Sequence, residues 1–550
     1  MKRTLTAVAV LLVLGLSARA QQPSPPTGSI SGQVVLDGKP VAGIGVLVST
    51  RQDFGDAKTV ARTSTDKEGN FTFSDLAAGN YTLLPDAPAY VINGQKRSWN
   101  PGMSVTLAAG ETVDALSLVL ERGGVITGRV YDSNGKPVIE ENVQIRPVDE
   151  NGKPVQTSFS FSSNRTDDRG IYRVFGLKPG RYIVSAGMRS DGGQMNYGTA
   201  RKQFPETFYP GVMDEGRATP VEVTTGGEVS GIDIGFGRLT QTFTVSGRVL
   251  DESGAPVAKV NCGYGMVTGG RFSGGIGFGG TSNDRGEFEF NGLGPGSYAA
   301  IVWPDGKNPR YASPTPFEVA DRNVSGLVIN MKKGTTVSGS VVFEGAAAHE
   351  SASAAQNVAV VLSRPPSGSN GSLENQLSAK SGRLNADGSF TLAGVAAGQY
   401  QIGIWSYGGA KGISVVRIER NGTPIPSEIE VTAETDVTGL VIVVASGTGA
   451  LRGHVTVTGG TLPNDHMSVA YRRADVSTQA QRARIDDRGQ FLVEGLAAGE
   501  YIASIDGYTG DTPGNWVVHK GKEQHITVAD GATADVSLTL DLEHDPTEKP

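Results

Sequence analysis

Five times in this chain a tyrosine stands twelve residues after a turn glycine: Gly69/Tyr81, Gly170/Tyr182, Gly286/Tyr298, Gly388/Tyr400 and Gly489/Tyr501. The residues between them repeat as well. Two after the glycine comes an aromatic (Phe71, Tyr172, Phe288, Phe390, Phe491), and four after it another apolar residue (Phe73, Val174, Phe290, Leu392, Val493). Seven after it stands Leu or Val (Leu76, Leu177, Leu293, Val395, Leu496), and ten after it a second glycine (Gly79, Gly180, Gly296, Gly398, Gly499). Such a repeat makes the chain a tandem array of one small unit, each about 100 residues long and large enough to close over its own core.

Apolar residues at the second and fourth positions, with polar ones between, have the period of a half-buried strand. The segments ahead of them are turn chemistry, such as Asp66-Lys-Glu-Gly69 and Asp487-Arg-Gly489. Asp and Asn accept bonds from their own downstream backbone, and Gly takes positive φ without steric cost. After each tyrosine the alternation resumes, with Tyr400, Ile402 and Ile404 on one face. Each unit therefore reads as strand, turn, strand, with the tyrosine entering the second strand. Its phenol is expected to pack at the edge of the core and bond a nearby backbone group, as a tyrosine corner does.

Each unit also opens on a strand: Ile30-Ser-Gly32, Ile126-Thr-Gly128, Val245-Ser-Gly247, Val337-Ser-Gly339 and Leu451-Arg-Gly453. In three of them a turn and a proline follow, ending in Pro40-Val41, Pro137-Val138 and Pro256-Val257. Each closes on an alternating strand such as Leu116–Leu120 or Val536–Leu540. Short strands with frequent turns predict an all-β chain, a tandem array of five small antiparallel β-sandwiches. The predicted layout is a signal segment at 1–20, a Pro-rich leader at 21–27, and units at 28–123, 124–240 (with an insertion near Gln203–Gly211), 241–334, 335–449 and 450–542, then a polar tail at 543–550. Linkers this short predict a semi-rigid rod, about 150 Å if the units lie end to end. The stretch Gly263 to Gly280, with nine glycines, reads as a mobile loop.

Lys2 and Arg3, an apolar run from Ala7 to Leu16 and Ala18-Arg-Ala20 form a secretory signal pattern. Export to the periplasm, cell envelope or medium is the expectation, with no membrane span in the mature chain, since no later stretch approaches the length of a spanning helix. The 76 glycines among 550 residues suit a chain made of turns. A net charge of −7 without a basic cluster argues against a nucleic-acid partner. Cys262 is the single cysteine, so no intramolecular disulfide can form, and it reads as a small strand hydrophobe.

The motif Ser/Thr-Gly-x-Val, then Gly-x-Pro-Val, then Thr-Asp-x-x-Gly-x-Phe-x-Phe-x-x-Leu-x-x-Gly-x-Tyr is carried almost throughout by Thr65–Tyr81 and Ser282–Tyr298. It resembles carboxypeptidase regulatory-like domains, and it extends over residues 28 to 542. The resemblance implies transthyretin-like (prealbumin-like) sandwiches, grouped with carbohydrate-binding-like folds and related to collagen-adhesin B-type repeats. The layout is similar to that of large secreted bacterial proteins. In metallocarboxypeptidases such a domain follows a catalytic zinc domain. Here none of His349, His454, His466, His519, His525 and His544 has Glu three residues later, as a zinc pair would need. His519 and His525 read as solvated strand residues. B-type repeats carry Lys–Asn crosslinks from the first strand, but Gln33, Arg129, Arg248, Ser340 and His454 follow the opening glycines, so none is expected. The paired acids Asp66/Glu68, Asp167/Asp168 and Asp486/Asp487 offer too few oxygens for calcium and read as turn formers.

No catalytic residues, metal site or cofactor are expected, and the chain reads as a non-enzyme. The implied function is glycan binding, with a polysaccharide or envelope glycan as ligand. Trp303 and Trp405, both five residues after the motif tyrosine, are the candidate ligand-binding residues, because an outward indole near a strand end can stack on a sugar ring. Trp99 and Trp516 read as isolated loop aromatics. The alternative is a spacer or adhesin-like stalk making protein contacts.

Overall fold

The computed structural model describes residues 26–50, 58–93, 102–148, 164–187, 204–237, 241–268, 271–303, 308–345, 358–364, 379–406, 413–462, 466–475, 480–509 and 517–543. The secretory signal, Trp99 and Trp516 lie outside them, as do His349 and His544. The described chain is nearly all strand, with one 3₁₀ turn at Glu215–Arg217. The first unit sets the plan. Its opening strand Gly28–Leu36 lies between the motif strand Asn70–Leu76, antiparallel to it, and the closing strand Thr112–Arg122, parallel to it. A second sheet orders Lys58–Ser64, Gly45–Thr50, the tyrosine strand Gly79–Pro85 and the edge strand Met103–Leu107. The later units repeat this arrangement, so each adds one parallel pair to otherwise antiparallel ladders.

That parallel pair explains the opening glycine. The ladder between opening and closing strands slips by one residue at this point in the first unit. In all five units the parallel pairing places a closing-strand carbonyl beneath the glycine, with or without such a slip. A Cβ on Gly32, Gly128, Gly247, Gly339 or Gly453 would lie 2.0–2.3 Å from the carbonyl oxygen of Leu116, Ile232, Leu327, Leu440 or Val536. No side chain fits there. The turn glycines have a different reason, φ between 71° and 80°. Ahead of them Asp66 Oδ1 accepts from the N–H groups of Glu68 and Asn70 at 3.0 and 2.7 Å, and Asp167, Asn283 and Asp486 do the same in their units. Asp66, Asp167 and Asp486 thus each use Oδ1 to hold their own turns.

The motif aromatics form the cores. Phe71, Tyr172, Phe288, Phe390 and Phe491 are at most 6% exposed, and each sits in the buried cluster of its own unit. Burying one such ring stabilises by roughly 1.5–3 kcal/mol. The tyrosine hydroxyl bonds the carbonyl four residues back: Tyr81 to Ala77 at 2.6 Å, Tyr182 to Lys178 at 2.7 Å, Tyr298 to Gly294 at 3.0 Å and Tyr501 to Ala497 at 3.0 Å. Tyr400 is equally buried, with the Arg364 guanidinium 5.5 Å above its ring. Threonine ahead of the turn is a second staple. Thr65 donates to Val41 O at 2.7 Å and accepts from Ile44 N–H at 2.9 Å, and Thr166 and Ser282 repeat both bonds.

Two expectations change. The glycine-rich stretch of the third unit is a hairpin, Asn261–Thr268 with Arg271–Thr281, rather than a loop. Its glycines admit aromatic rings: Cβ atoms on Gly263, Gly265, Gly277 and Gly279 would fall 2.0–2.8 Å from the rings of Trp303, Phe272, Tyr264 and Phe290. Nor do the units form an extended rod. The fifth unit's turn at Asp486–Arg488 is hydrogen-bonded to the first unit's edge strand. Two pairs of neighbouring units, the first with the second and the third with the fourth, meet through glycine. Gly176 and Gly394 take φ of 72° and 66°, and a Cβ there would be 2.7 and 2.5 Å from Pro88 O and Arg310 O of the preceding unit. The equivalent residue of the first unit is Asp75, also at positive φ.

Candidate interaction surfaces

The tyrosine strand turns one face into the core and the other outward, and what covers the outer face differs from unit to unit. In the second unit the inserted segment covers it. Arg146 bridges Glu206 and Glu215 at 3.2 and 2.7 Å, lies 5.4 Å above the Phe208 ring, and is itself 8% exposed. Glu206 also accepts from Ser185 Oγ at 2.9 Å. A buried arginine needs two carboxylates and a ring because desolvation would otherwise outweigh its attractions. This patch anchors the insertion.

In the third unit Tyr298, Ala300 and Val302 enter the core, which leaves Ala299, Ile301 and Trp303 on the outer face. Ala299 and Ile301 are nevertheless only 1% and 3% exposed. The strand beside them carries Gly263 and Gly265 opposite Ile301 and Ala299. With no side chains there, the rings of Trp303 and Phe272 lie down across the sheet. Phe278 stands 5.3 Å from Trp303, inclined at 33°, and is 61% exposed. The result is an aromatic shelf on a glycine floor, open to solvent along the Phe278 edge.

Trp405 lies on a separate sheet, in the fourth unit, opposite Ala359, and is 41% exposed. The two tryptophans therefore occupy equivalent strand positions on two surfaces. Trp303 has Phe278 as its ring partner. Residue spacing singled out Trp303 but missed Phe272 and Phe278. The available signal was the alternation of Phe272, Ile276 and Phe278, which has strand period despite the glycines.

Among the described residues the remaining polar groups do not assemble into a site. His519 is buried in the strand Val517–Lys520, which corrects the solvated reading for that residue, while His525 is exposed in Gln524–Val528. Among the described residues no three His, Cys, Asp or Glu side chains are placed to hold a metal. A shallow recess in the fifth unit is lined by Arg452, His454, Gln490 and Asp535, which pair with each other: Arg452 with Asp535 at 3.1 Å and Gln490 with His454 at 3.2 Å. Cys262 is wholly buried, and burial pushes its thiol up to about 11. Among the described residues no helix is long and apolar enough to cross a membrane.

Residues 29–121 match the carboxypeptidase regulatory-like domain family. Serine-aspartate repeat-containing protein E of Staphylococcus aureus (strain Newman) is 30% identical over 145 residues, covering 23% of this chain and 12% of that protein. A streptococcal ancillary pilin is similar over 56% of this chain and 99% of its own, at 14% identity and a TM-score of 0.23. Two B repeat units of the collagen binding protein of Staphylococcus aureus are similar over 76% of this chain and 99% of their own, at 14% identity and a TM-score of 0.14. The chain thus spans about an eighth of the curated relative it matches. Residues 29–121 are thus a carboxypeptidase regulatory-like domain, and four further stretches of the chain carry the same motif.

Proposed function

We propose that this chain is a non-catalytic contact protein of the cell exterior or envelope, adhesive or scaffolding in kind, and that it engages glycan through the aromatic shelf of its third unit. The observation that supports this is the exposure of Phe278 beside Trp303 on an otherwise covered sheet face. An exposed aromatic surface on a soluble sandwich loses solvation free energy unless something covers it. The hydrogen-rich faces of a pyranose match the negative faces of such rings. Trp405 would add a second aromatic contact on the fourth unit.

The test is a screen of the full chain against immobilised polysaccharides, with Phe278→Ala/Trp303→Ala and Trp405→Ala alongside. Binding lost in the first variant and retained in the second, both with unchanged circular dichroism, supports the shelf as the site. Binding that survives both variants removes these aromatics from the proposal. No binding to any polysaccharide removes glycan altogether and leaves the scaffold reading, which the glycine junctions between units support independently.

A further inference from the structure

We infer that the turn Asp486–Gly489 of the fifth unit is a clasp for the free strand edge of the first unit, and that it closes the chain on itself. The edge strand is Met103–Leu107, the last in its sheet, and its outward backbone groups need partners. The fifth unit supplies them. Ser104 N–H donates to Asp487 Oδ2 at 2.7 Å and Thr106 N–H to Asp486 Oδ2 at 2.8 Å. In return Asp487 N–H donates to Ser104 O at 3.2 Å and Arg488 Nη2 to Thr106 O at 2.6 Å. Two donors and two acceptors of the edge are matched in sequence, as another strand would match them. Arg488 also bonds Asp486 Oδ2 through Nε and Nη2 at 3.1 and 2.9 Å, so the carboxylate meets the strand already neutralised.

The second unit holds the same four residues, Asp167-Asp-Arg-Gly170, and serves as an internal control. There Asp167 Oδ1 holds its own turn and Oδ2 binds Arg169, as in the fifth unit. That pair is solvent-exposed, however, with 37% of the Asp167 and 71% of the Arg169 side chain accessible, against 2% and 27% for Asp486 and Arg488. The turn is therefore built before it meets a partner, and the contact with the first unit is what buries it.

The partner edge is also selected by sequence. Aligning the edge strands on their pairing with the tyrosine strands places Thr106 with Glu222, Glu318, Glu430 and Thr527, and Ser104 with Pro220, Pro316, Glu428 and His525. Proline has no N–H to give, which bars the second and third units from the contact at Ser104. Glutamate places a like charge against the acidic clasp, which disfavours the second, third and fourth. The first unit instead offers a serine and a threonine. The Tyr81 phenol, raised first by burial and then by Glu494 of the fifth unit, lies at the same junction.

The experiment uses the full chain and does not depend on the glycan reading, because the shelf is on the third unit. Ser104→Pro/Thr106→Glu installs on the first unit the residue types that the other units carry at this edge. Proline is tolerated at an edge position whose N–H faces outward. Sedimentation velocity and small-angle scattering are recorded for the native chain and the variant. The expected result is a compact native monomer and a variant of the same mass that sediments more slowly, its maximum dimension longer by roughly 30 Å, one nine-residue strand at 3.3 Å per residue. Equal dimensions for the two proteins would overturn the clasp. A native chain that forms concentration-dependent oligomers, lost in the variant, would also overturn it, by showing that the turn grips a second copy. Arg488→Ala, on the opposite side of the contact, gives the same readout should the first variant misfold.

Discussion

Removing the motif hydroxyl isolates one bond of the repeated corner. In Tyr182→Phe the ring stays, 8% exposed in the native unit, while the 2.7 Å bond to Lys178 O disappears. The apolar contribution of the ring is retained, and the loss is one net hydrogen bond, about 1 kcal/mol. The bond is partly accessible, so water can satisfy the abandoned carbonyl in part and the penalty stays near that value. For a unit of about 100 residues this corresponds to a fall of roughly 4–8 °C in its own transition. Tyr182→Ala also empties the ring site and should cost about 3–5 kcal/mol. Tyr81→Phe, Tyr298→Phe and Tyr501→Phe break the same bond in other units and should give similar losses. A chain of several units unfolds in several steps, so a single melting temperature does not report the change. Native-state hydrogen exchange resolved by peptide does, with protection lost around the mutated corner and retained elsewhere. Phenylalanine variants whose exchange matches the native chain would show that the hydroxyl bond contributes nothing. Equal losses for Phe and Ala would assign the effect to something other than this bond.

Gly128→Ala puts a methyl group 2.0 Å from Ile232 O and should destabilise the second unit by about 1–3 kcal/mol or more, measured by the same exchange experiment; Gly135→Ala, with open space at its Cβ but positive φ, separates backbone strain from this clash. Cys262 should resist a thiol reagent at pH 8 in the native chain and react with one equivalent on denaturation, because burial holds the thiol neutral and out of reach. On acidification, Asp132 is held low first by the Lys136 N–H, Asp167 by Arg169, Asp251 by Ser253 and Asp387 by Ser389. A carboxylate with a depressed folded pKa contributes stability that is present above its unfolded value near 3.9 and lost as pH falls through the folded one. Circular dichroism against pH should therefore stay flat through neutrality and fall below about pH 4; unfolding that begins near pH 6 would contradict the turn bonds.

The repeat made the architecture legible because every one of its signals is local. Alternation at Phe71 and Phe73 names a strand and its inner face, Asp66 to Gly69 names a turn by its own backbone bonds, and Tyr81 reaches a carbonyl four residues away. Such interactions depend on a few consecutive residues, so one chain suffices to read them. Trp303 was legible for the same reason, from its distance to Tyr298. Its partners were not. Glycines usually mark turns, and here they mark the places where rings from neighbouring strands lie down, which depends on strand register.

The opening glycines and the clasp belong wholly to the tertiary structure. Gly32 is required by Leu116 O, which is brought beneath it by a parallel pairing that the intervening sandwich makes possible. Asp486 reads as a turn former, and its sequence is that of Asp167; only the packing of the fifth unit on the first distinguishes the two. By itself the sequence determined the strands, the turns and the five cores, since side-chain period and backbone propensity act over neighbouring residues. Which groups meet across 380 residues of chain, as the Thr106 N–H meets the Asp486 carboxylate, was decided by how the units pack, because identical turns can be filled by solvent or by a strand edge.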